Sequence, residues 1–465
     1  MAKIKKGMHD LDMSLIEMTM DIMKYVIARV SDTQPEMGYP QKETDLQKWI
    51  GETITPEGIG GKTAFKLFKE KMLKATVPAD HPRHLAFVPA APSRAATLFD
   101  VVISAAGVHG AYWMTGAGGI YGENQAMQWL VNLTGLPKPA FGVFTSGGTA
   151  ANLSAMVAAR ETWRDKNEEN KAYRGLIITS NGAHSSIKSM AKVIDADILL
   201  VDDDEEDKLN GKWLQQKIDR LSEVDRKRLF AVIATAGTTN AGIIDHLDTV
   251  ADVCEKEDLW FHVDAAYGGG ALAAPSVRHL FNGIERADSI TIDPHKWFFS
   301  PYDCGAIIYK NPDLARKAHA QQGSYLDVVY QDTSGFNPSE YQIQLSRRLR
   351  GLPLWFSLAM HGTNRYSQAI ERGLELAQIA AEKIRNSDFL ELVREPSLSC
   401  VLYRRKGWKP EDYNQWTIKN QKEGFALVTP TQWTKNGHTE TVSRFCFINP
   451  ETTEEDIDAI LETMQ

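Results

Sequence analysis

The sequence predicts an α/β protein built on a mostly parallel sheet with helices on both faces. From His81 to about residue 350, short apolar runs alternate with longer amphipathic segments, the rhythm of strands joined by crossover helices. The runs are apolar nearly throughout instead of alternating with polar residues, as strands covered on both faces must be. At 465 residues and 43% hydrophobic content, the chain can bury a full core and is long enough for two or more domains.

Residues 1–80 read as an N-terminal helical arm. Apolar and charged positions recur there at roughly helical spacing, as in Leu15, Ile16, Met18, Met20, Ile22, Met23, Tyr25 and Val26. The turn-rich stretch 31–41 and Gly58, Gly60 and Gly61 break the pattern. The methionines are expected to pack in the core of an amphipathic helix.

Residues 81–350 read as the large domain, with strands expected at 141–144, 175–179, 198–201, 230–234, 260–264 and 305–309 and a further strand leading into Asp293. Residues 351–465 read as a small C-terminal α+β domain. It opens with the apolar helix-like run 352–360 and an amphipathic helix over 370–384, continues through strands at 400–403 and 443–448, and ends on a helix. Thr453, three residues before Asp456, suits the start of that helix.

Composition removes several function classes. Lys plus Arg total 52 against 60 for Asp plus Glu, a formal charge of -8, so no general basic character draws nucleic acid or an anionic membrane. Cys254, Cys304, Cys400 and Cys446 are widely spaced and lack metal-ligand spacing, which fits a reducing compartment without a disulfide framework or structural metal. The basic start is followed by Met8-His-Asp10 in place of a long apolar run, and no later stretch offers the ~20 apolar residues of a membrane span. The expectation is a cytoplasmic protein with no nucleic-acid or membrane partner.

Chemistry concentrates at the strand ends. Lys296 stands in Ser289-Ile-Thr-Ile-Asp-Pro-His-Lys-Trp297, and Asp264 ends the apolar run of Phe261-His-Val-Asp-Ala-Ala-Tyr267. A buried acid costs several kcal/mol, as an order of magnitude, unless it is paired. A buried acid, a lysine and small residues able to lie against a flat ring are the parts needed to hold pyridoxal phosphate as a Schiff base. Thr145-Ser-Gly-Gly-Thr149 lies between a strand and a helix, where backbone N–H groups and the Ser146 and Thr149 hydroxyls can face a phosphate. That run matches neither nucleotide-binding glycine pattern. His184 follows another strand and can stack on a ring or cap the next helix, and Thr238 and Thr239 follow a third.

Together, Ser146-Gly-Gly-Thr149, Ala183-His-Ser-Ser186, Gly237-Thr-Thr239, His262-Val-Asp-Ala-Ala-Tyr267 and Asp293-Pro-His-Lys-Trp297 resemble the group II pyridoxal-phosphate amino-acid decarboxylases. The resemblance runs over nearly the whole chain from His81, and its motifs are closest to the aromatic-L-amino-acid decarboxylases. It implies the type I, aspartate-aminotransferase-like fold and a homodimer with shared active sites. It also implies that Lys296 carries pyridoxal 5'-phosphate, Asp264 pairs with the pyridine nitrogen, and His184 and Ala266 flank the ring. Ser146, Gly147, Gly148, Thr149 and His295 then lie on the phosphate side, with Thr239 near the ring hydroxyl.

By the same resemblance, Phe87, Val88 and Pro89 line an apolar substrate pocket, with a partner contribution from the region 109–114. Phe87 and Val88 can equally be core strand residues. The segment 324–342 occupies the place of a mobile catalytic loop, in which many relatives use a tyrosine to protonate the substrate carbanion. The expected tyrosine position falls near Pro338, between Tyr330 and Tyr341, and Tyr330 is taken as the catalytic one. The expected reaction is decarboxylation of an aromatic L-amino acid to its amine. The alternatives are an acidic or basic aliphatic substrate, for which Arg83, Arg94 and Arg350 are the residues to place, or an aromatic aldehyde product.

Overall fold

The computed structural model describes residues 7–10, 13–202, 204–321, 335–435 and 437–465. Its main sheet has seven strands: β1 (Phe141–Thr145), β2 (Gly175–Ser180), β3 (Ala196–Val201), β4 (Leu229–Thr235), β5 (Trp260–Asp264), β6 (Ser289–Ile292) and β7 (Gly305–Tyr309). They lie in the order β1-β7-β6-β5-β4-β2-β3. Only β7 runs against its neighbours; the pairings among β6, β5, β4, β2 and β3 are parallel.

The apolar runs have a simple cause. Successive side chains of a strand face opposite sides of the sheet, and both sides are covered. Ile178, Val232, Ala234, Phe261 and Val263 belong to one core, and Ile177, Ala231, Ile233 and Trp260 to the other. Helices Gly148–Lys166 and Ser185–Val193 contribute to the second core, while Gly211–Asp219 and Leu247–Lys256 contribute to the first.

The smaller sheet is antiparallel, in the order β10-β11-β9-β8, formed by β8 (Leu390–Leu392), β9 (Cys400–Arg405), β10 (Thr429–Lys435) and β11 (His438–Cys446). Its inner face packs on the helix Thr363–Arg385 through Val401, Tyr403, Phe445, Leu376, Ala380 and Ile384. Leu85 joins this core. Its N–H donates to Leu427 O and its carbonyl accepts from Cys446 N–H, each at 3.0 Å, so the segment carrying Phe87 is bound to the small layer. The last helix, Glu454–Glu462, starts on a capping box of Thr453 and Asp456, as its sequence predicts.

The N-terminal helices Met13–Ser31, Glu43–Ile50 and Gly61–Leu67 form as their spacing predicts. The methionine expectation is corrected: Met13, Met20 and Met23 are exposed, because the first helix lies at the surface of the chain and does not enter its core. Among the described residues, no helix is long and apolar enough to cross a membrane.

Two buried polar assemblies fix the parts that frame the site. The first is a directed chain of hydrogen bonds. Trp260 Nε1 donates to Ser289 Oγ at 2.8 Å, Ser289 Oγ bonds His262 Nδ1 at 2.8 Å, His262 Nε2 bonds Asn152 Oδ1 at 2.9 Å, and Asn152 Nδ2 donates to Asp264 Oδ2 at 2.9 Å. Asn152 Oδ1 is an acceptor, so His262 carries a proton on Nε2, and the neutral ring leaves Nδ1 to accept the Ser289 hydroxyl. Burial has the matching effect and pushes the His262 pKa down to about 4. The second assembly is Arg347 with Glu123, a two-pronged pair at 2.7 and 2.8 Å with both side chains buried. Arg347 also donates to Gly110 O, and Glu123 accepts Gly351 N–H.

Two outcomes follow from these assemblies. Between pH 6.5 and 4 the unfolded chain protonates His262 while the native state refuses the proton, so stability is fully present above that window and falls as pH drops through it. The withdrawal from this residue is at most about 3 kcal/mol, and urea titrations at several pH values should show a shallower decline for His262→Gln. Arg347→Met leaves Glu123 buried without its cation and should cost about 3–5 kcal/mol in the same assay, with part of the loss recovered in the Glu123→Gln/Arg347→Met double variant.

Candidate active site

Parallel strands leave their following loops at one edge of the sheet, where ligands of open α/β sheets bind. Here the loops after β1, β2, β4, β5 and β6 enclose a cavity of about 380 Å³. Its lining includes Ser146, Gly147, Gly148, Thr149, His184, Thr239, Asp264, Ala266, His295 and Lys296, which the sequence alone had singled out across separate segments.

One end of the cavity is suited to an anion. The helix Gly148–Lys166 begins there without a side-chain cap, so its first N–H groups are open to a ligand and the helix dipole favours negative charge. Gly147 has φ 144°, and a Cβ on it would stand 3.3 Å from His295 Cε1. A Cβ on Gly148 would come within 3.0 Å of Asp293 Oδ2 and 3.1 Å of the Ala266 methyl. Glycine at these positions keeps the floor of the cavity open. His295 Nδ1 accepts Cys304 N–H at 3.0 Å, which leaves its proton on Nε2, 3.6 Å from Asp293 Oδ2. Burial lowers the His295 pKa against the pull of Asp293.

The other end carries the charges. Asp264, at the last position of β5, accepts Ala266 N–H at 3.1 Å on Oδ1 and the Asn152 amide on Oδ2. Lys296 lies on the short helix Pro294–Trp297 with its Nζ 3.0 Å from Asp293 Oδ2 and 24% of its side chain exposed. Burial works against its ammonium, but Asp293, with smaller contributions from Asp264 and Tyr302, holds the pKa above the ordinary lysine value. His184 caps the next helix and also borders the cavity. Its Nδ1 accepts Ser186 N–H at 3.2 Å to cap the helix Ser185–Val193, while the residue lines the cavity.

Other expected residues are placed elsewhere. Phe87, Val88 and Pro89 do not line the cavity of the chain: Val88 is in the main core, Pro89 is buried, and Phe87 is 62% exposed with φ 57°. Tyr330 lies outside the described residues. Tyr341 stacks on Phe336 at 4.4 Å, away from the lining. Arg83 pairs with Asp456, Arg94 with Glu451 and Arg350 with Asp303, and none of the three faces the cavity.

Several residues in or beside the cavity have parts that the motifs did not assign. Asn152 sits one helical turn after Gly148, a spacing that returns it to the same side of the helix. Thr235 is opposite Asp264 in the β4–β5 register, with its hydroxyl buried and without a hydrogen-bond partner. Asp293, three residues before Lys296, is in contact with it by ordinary helical spacing. Arg444 shows no local sequence signal; it reaches from β11 to donate to Thr239 O, Asn240 O and Phe87 O at 2.5, 3.0 and 2.5 Å. That guanidinium ties the cavity loop after β4 to the Phe87 segment.

This set fits pyridoxal phosphate: an uncapped helix start and an open glycine floor for the phosphate, an ionised acid for the ring nitrogen, small Ala266 for the ring face, a free hydroxyl on Thr235 and an amine for the carbonyl. A family model described as the pyridoxal-dependent decarboxylase conserved domain matches residues 67–406. The chain is 32% identical over 427 residues to the aromatic-L-amino-acid decarboxylase of Bacillus atrophaeus, covering 90% of this chain and 87% of the relative. It is 30% identical over 380 residues to the L-2,4-diaminobutyrate decarboxylase of Acinetobacter baumannii, covering 77% and 74%. The solved structure of Oryza sativa TDC with PLP and tryptamine superposes with a TM-score of 0.87 at 23% identity, over 97% of this chain and 96% of that one, which supports the type I fold. With this fold, this cavity and these matches, the chain belongs to the pyridoxal-dependent decarboxylases and is a group II carboxy-lyase that works with pyridoxal 5'-phosphate.

Proposed function

We propose that the substrate is an aromatic L-amino acid, converted to its amine and carbon dioxide by a homodimer with shared active sites. The observation that carries the aromatic assignment is the commitment of Arg83, Arg94 and Arg350 to Asp456, Glu451 and Asp303 outside the cavity, which leaves none of them to meet an acidic side chain. The Bacillus atrophaeus relative, named for aromatic substrates, points the same way. The dimer is supported by Leu15, Ile16, Met20, Met23 and Ile27, a set of exposed apolar side chains on the first helix suited to cover by a second copy. Phe87, exposed beside the clamp of Arg444, is the residue we assign to the substrate side.

When bound, pyridoxal phosphate supplies an electrophilic carbonyl and a ring able to take up the electron pair left by departing carbon dioxide. The chain's own residues do the rest. Lys296 Nζ is the amine that would hold the cofactor through its carbonyl. The Asp264 carboxylate, aimed by Asn152 and the Ala266 N–H, holds a proton on the ring nitrogen, so charge is stabilised where it develops. His184 and Ala266 would flank the ring. Ser146, Gly147, Gly148 and Thr149, with His295, bind the phosphate. Tyr330 is our assignment for the proton returned to the α-carbon.

Lys296→Ala should abolish the absorption band of the protein-bound cofactor and lower kcat by about 10³-fold or more, with Asp264→Asn retaining the band but losing roughly 10²-fold in rate. Incubation of the purified protein with cofactor and a panel of L-amino acids should give carbon dioxide and an amine from tryptophan, tyrosine or dihydroxyphenylalanine. Turnover confined to glutamate, aspartate or diaminobutyrate would overturn the aromatic assignment. Tyr330→Phe should divert product from amine toward aldehyde, measured by chromatography, while Tyr341→Phe leaves the ratio unchanged.

A further inference from the structure

We propose that Asp293 is a positioning residue that receives the free amine of Lys296 and thereby favours its displacement by substrate; this rests on the reading that Lys296 carries the cofactor. Asp293 is 3% exposed and precedes the helix Pro294–Trp297. Its backbone is pinned, with its N–H donating to Ala266 O at 3.0 Å and its carbonyl accepting Lys296 N–H at 2.9 Å. Oδ2 takes Lys296 Nζ at 3.0 Å, whereas the buried Oδ1 has no hydrogen-bond partner. Such a carboxylate is costly to bury and depends on the cation beside it.

The groups around the pair single out that cation. His295 Nε2 is 3.6 Å from Asp293 Oδ2, and burial holds the imidazole below its ordinary pKa, so it serves as a neutral donor. Tyr302 and the buried Cys304 thiol are the other titratable neighbours of Asp293. Lys296 also senses Asp264 and Tyr302, but its hydrogen-bonded partner is Asp293. Among the described residues, Lys296 is therefore the cation whose loss leaves Asp293 uncompensated.

Substrate entry restores that cation. Bonded to the cofactor carbon in its neutral form, Lys296 Nζ would carry no proton; as the substrate nitrogen takes its place on that carbon and the bond to Nζ breaks, the three protons of the substrate ammonium would pass to Nζ. Lys296 ends as an ammonium in contact with Asp293, and no electrons are gained or lost overall. Asp293 thus stabilises the two states in which Lys296 is free, the substrate-loaded enzyme and the cofactor-free enzyme, and opposes the state in which the lysine is bonded to cofactor.

The consequence is a split that a purely structural role does not produce. In holoenzyme carrying Asp293→Asn, the apparent Kd for the methyl ester of the accepted amino acid, which cannot release carbon dioxide, should rise by about tenfold or more. Absorbance titration reads this value. Cofactor retention, read by dialysis against buffer, should be unchanged or tighter. Asp293→Ser should show the same split if the Asn variant folds poorly. An unchanged Kd for the ester, or joint weakening of ester and cofactor binding, would overturn the proposal. Borohydride reduction followed by peptide mass analysis separates the two readings: cofactor trapped on Lys296 without the split sinks only the role of Asp293, whereas cofactor trapped elsewhere sinks the assignment of Lys296.

Discussion

The site depends on keeping one ionised carboxylate at the end of a strand that is otherwise sealed in the core. Asp264 stands in register with Thr235 on β4 and Thr291 on β6, in a row of polar residues where the apolar strands run out. A one-residue slip of β5 would turn Asp264 to the other face of the sheet and drive a polar side chain into an apolar layer. The two cores hold the register, because alternate residues of β2, β4 and β5 are claimed by opposite sides. The chain from Trp260 through Ser289, His262 and Asn152 then orients the carboxylate, with donors and acceptors running in one direction. Hydrophobic packing sets where Asp264 is, and the buried hydrogen bonds set which way it points.

The same economy governs the rest of the cavity. The end we assign to the phosphate offers backbone N–H groups and a helix dipole, so no arginine or lysine is needed there and Lys296 remains available for chemistry. The acids are divided by position: Asp264 is satisfied by neutral donors, whereas Asp293 relies on the lysine itself. An acid with fixed neutral partners keeps those partners wherever the amine lies. One that depends on a mobile amine responds to where that amine is, and this difference separates the roles assigned to them.

The sheet was legible in the sequence because burial on both faces writes itself as uninterrupted apolar runs, and the strands found at 141–145, 175–180, 260–264 and 305–309 lie within a residue of their expected ends. Two strands of the small sheet were not legible. β10 is Thr-Pro-Thr-Gln-Trp-Thr-Lys, an edge strand whose exposed positions need no apolar residues and can admit Pro430, and β8 is a three-residue edge. Around the cavity, residues within a strand-end motif could be read locally. Arg444 could not, since its contacts with Thr239 and Phe87 join segments far apart in sequence. The Met13, Met20 and Met23 positions mark a related limit: helical periodicity identifies an apolar face but not whether that face turns toward its own chain.

Arg444 also explains why the two halves of the site differ in how strongly the sequence announces them. The cofactor side is built from backbone at the ends of adjacent strands, so the parallel sheet itself brings Ser146, His184, Thr239, Asp264 and Lys296 together. The segment carrying Phe87 has no such strand beneath it. It is held through Leu85 to the small layer and through one guanidinium to the loop after β4, with Phe87 kept at a positive φ that only surrounding contacts can maintain. Changes in the small layer can therefore move Phe87 while leaving the strand ends in place. With Phe87 assigned to the substrate side as proposed, this arrangement separates substrate choice from cofactor chemistry and puts the determinants of choice in contacts between distant segments, where no short motif records them.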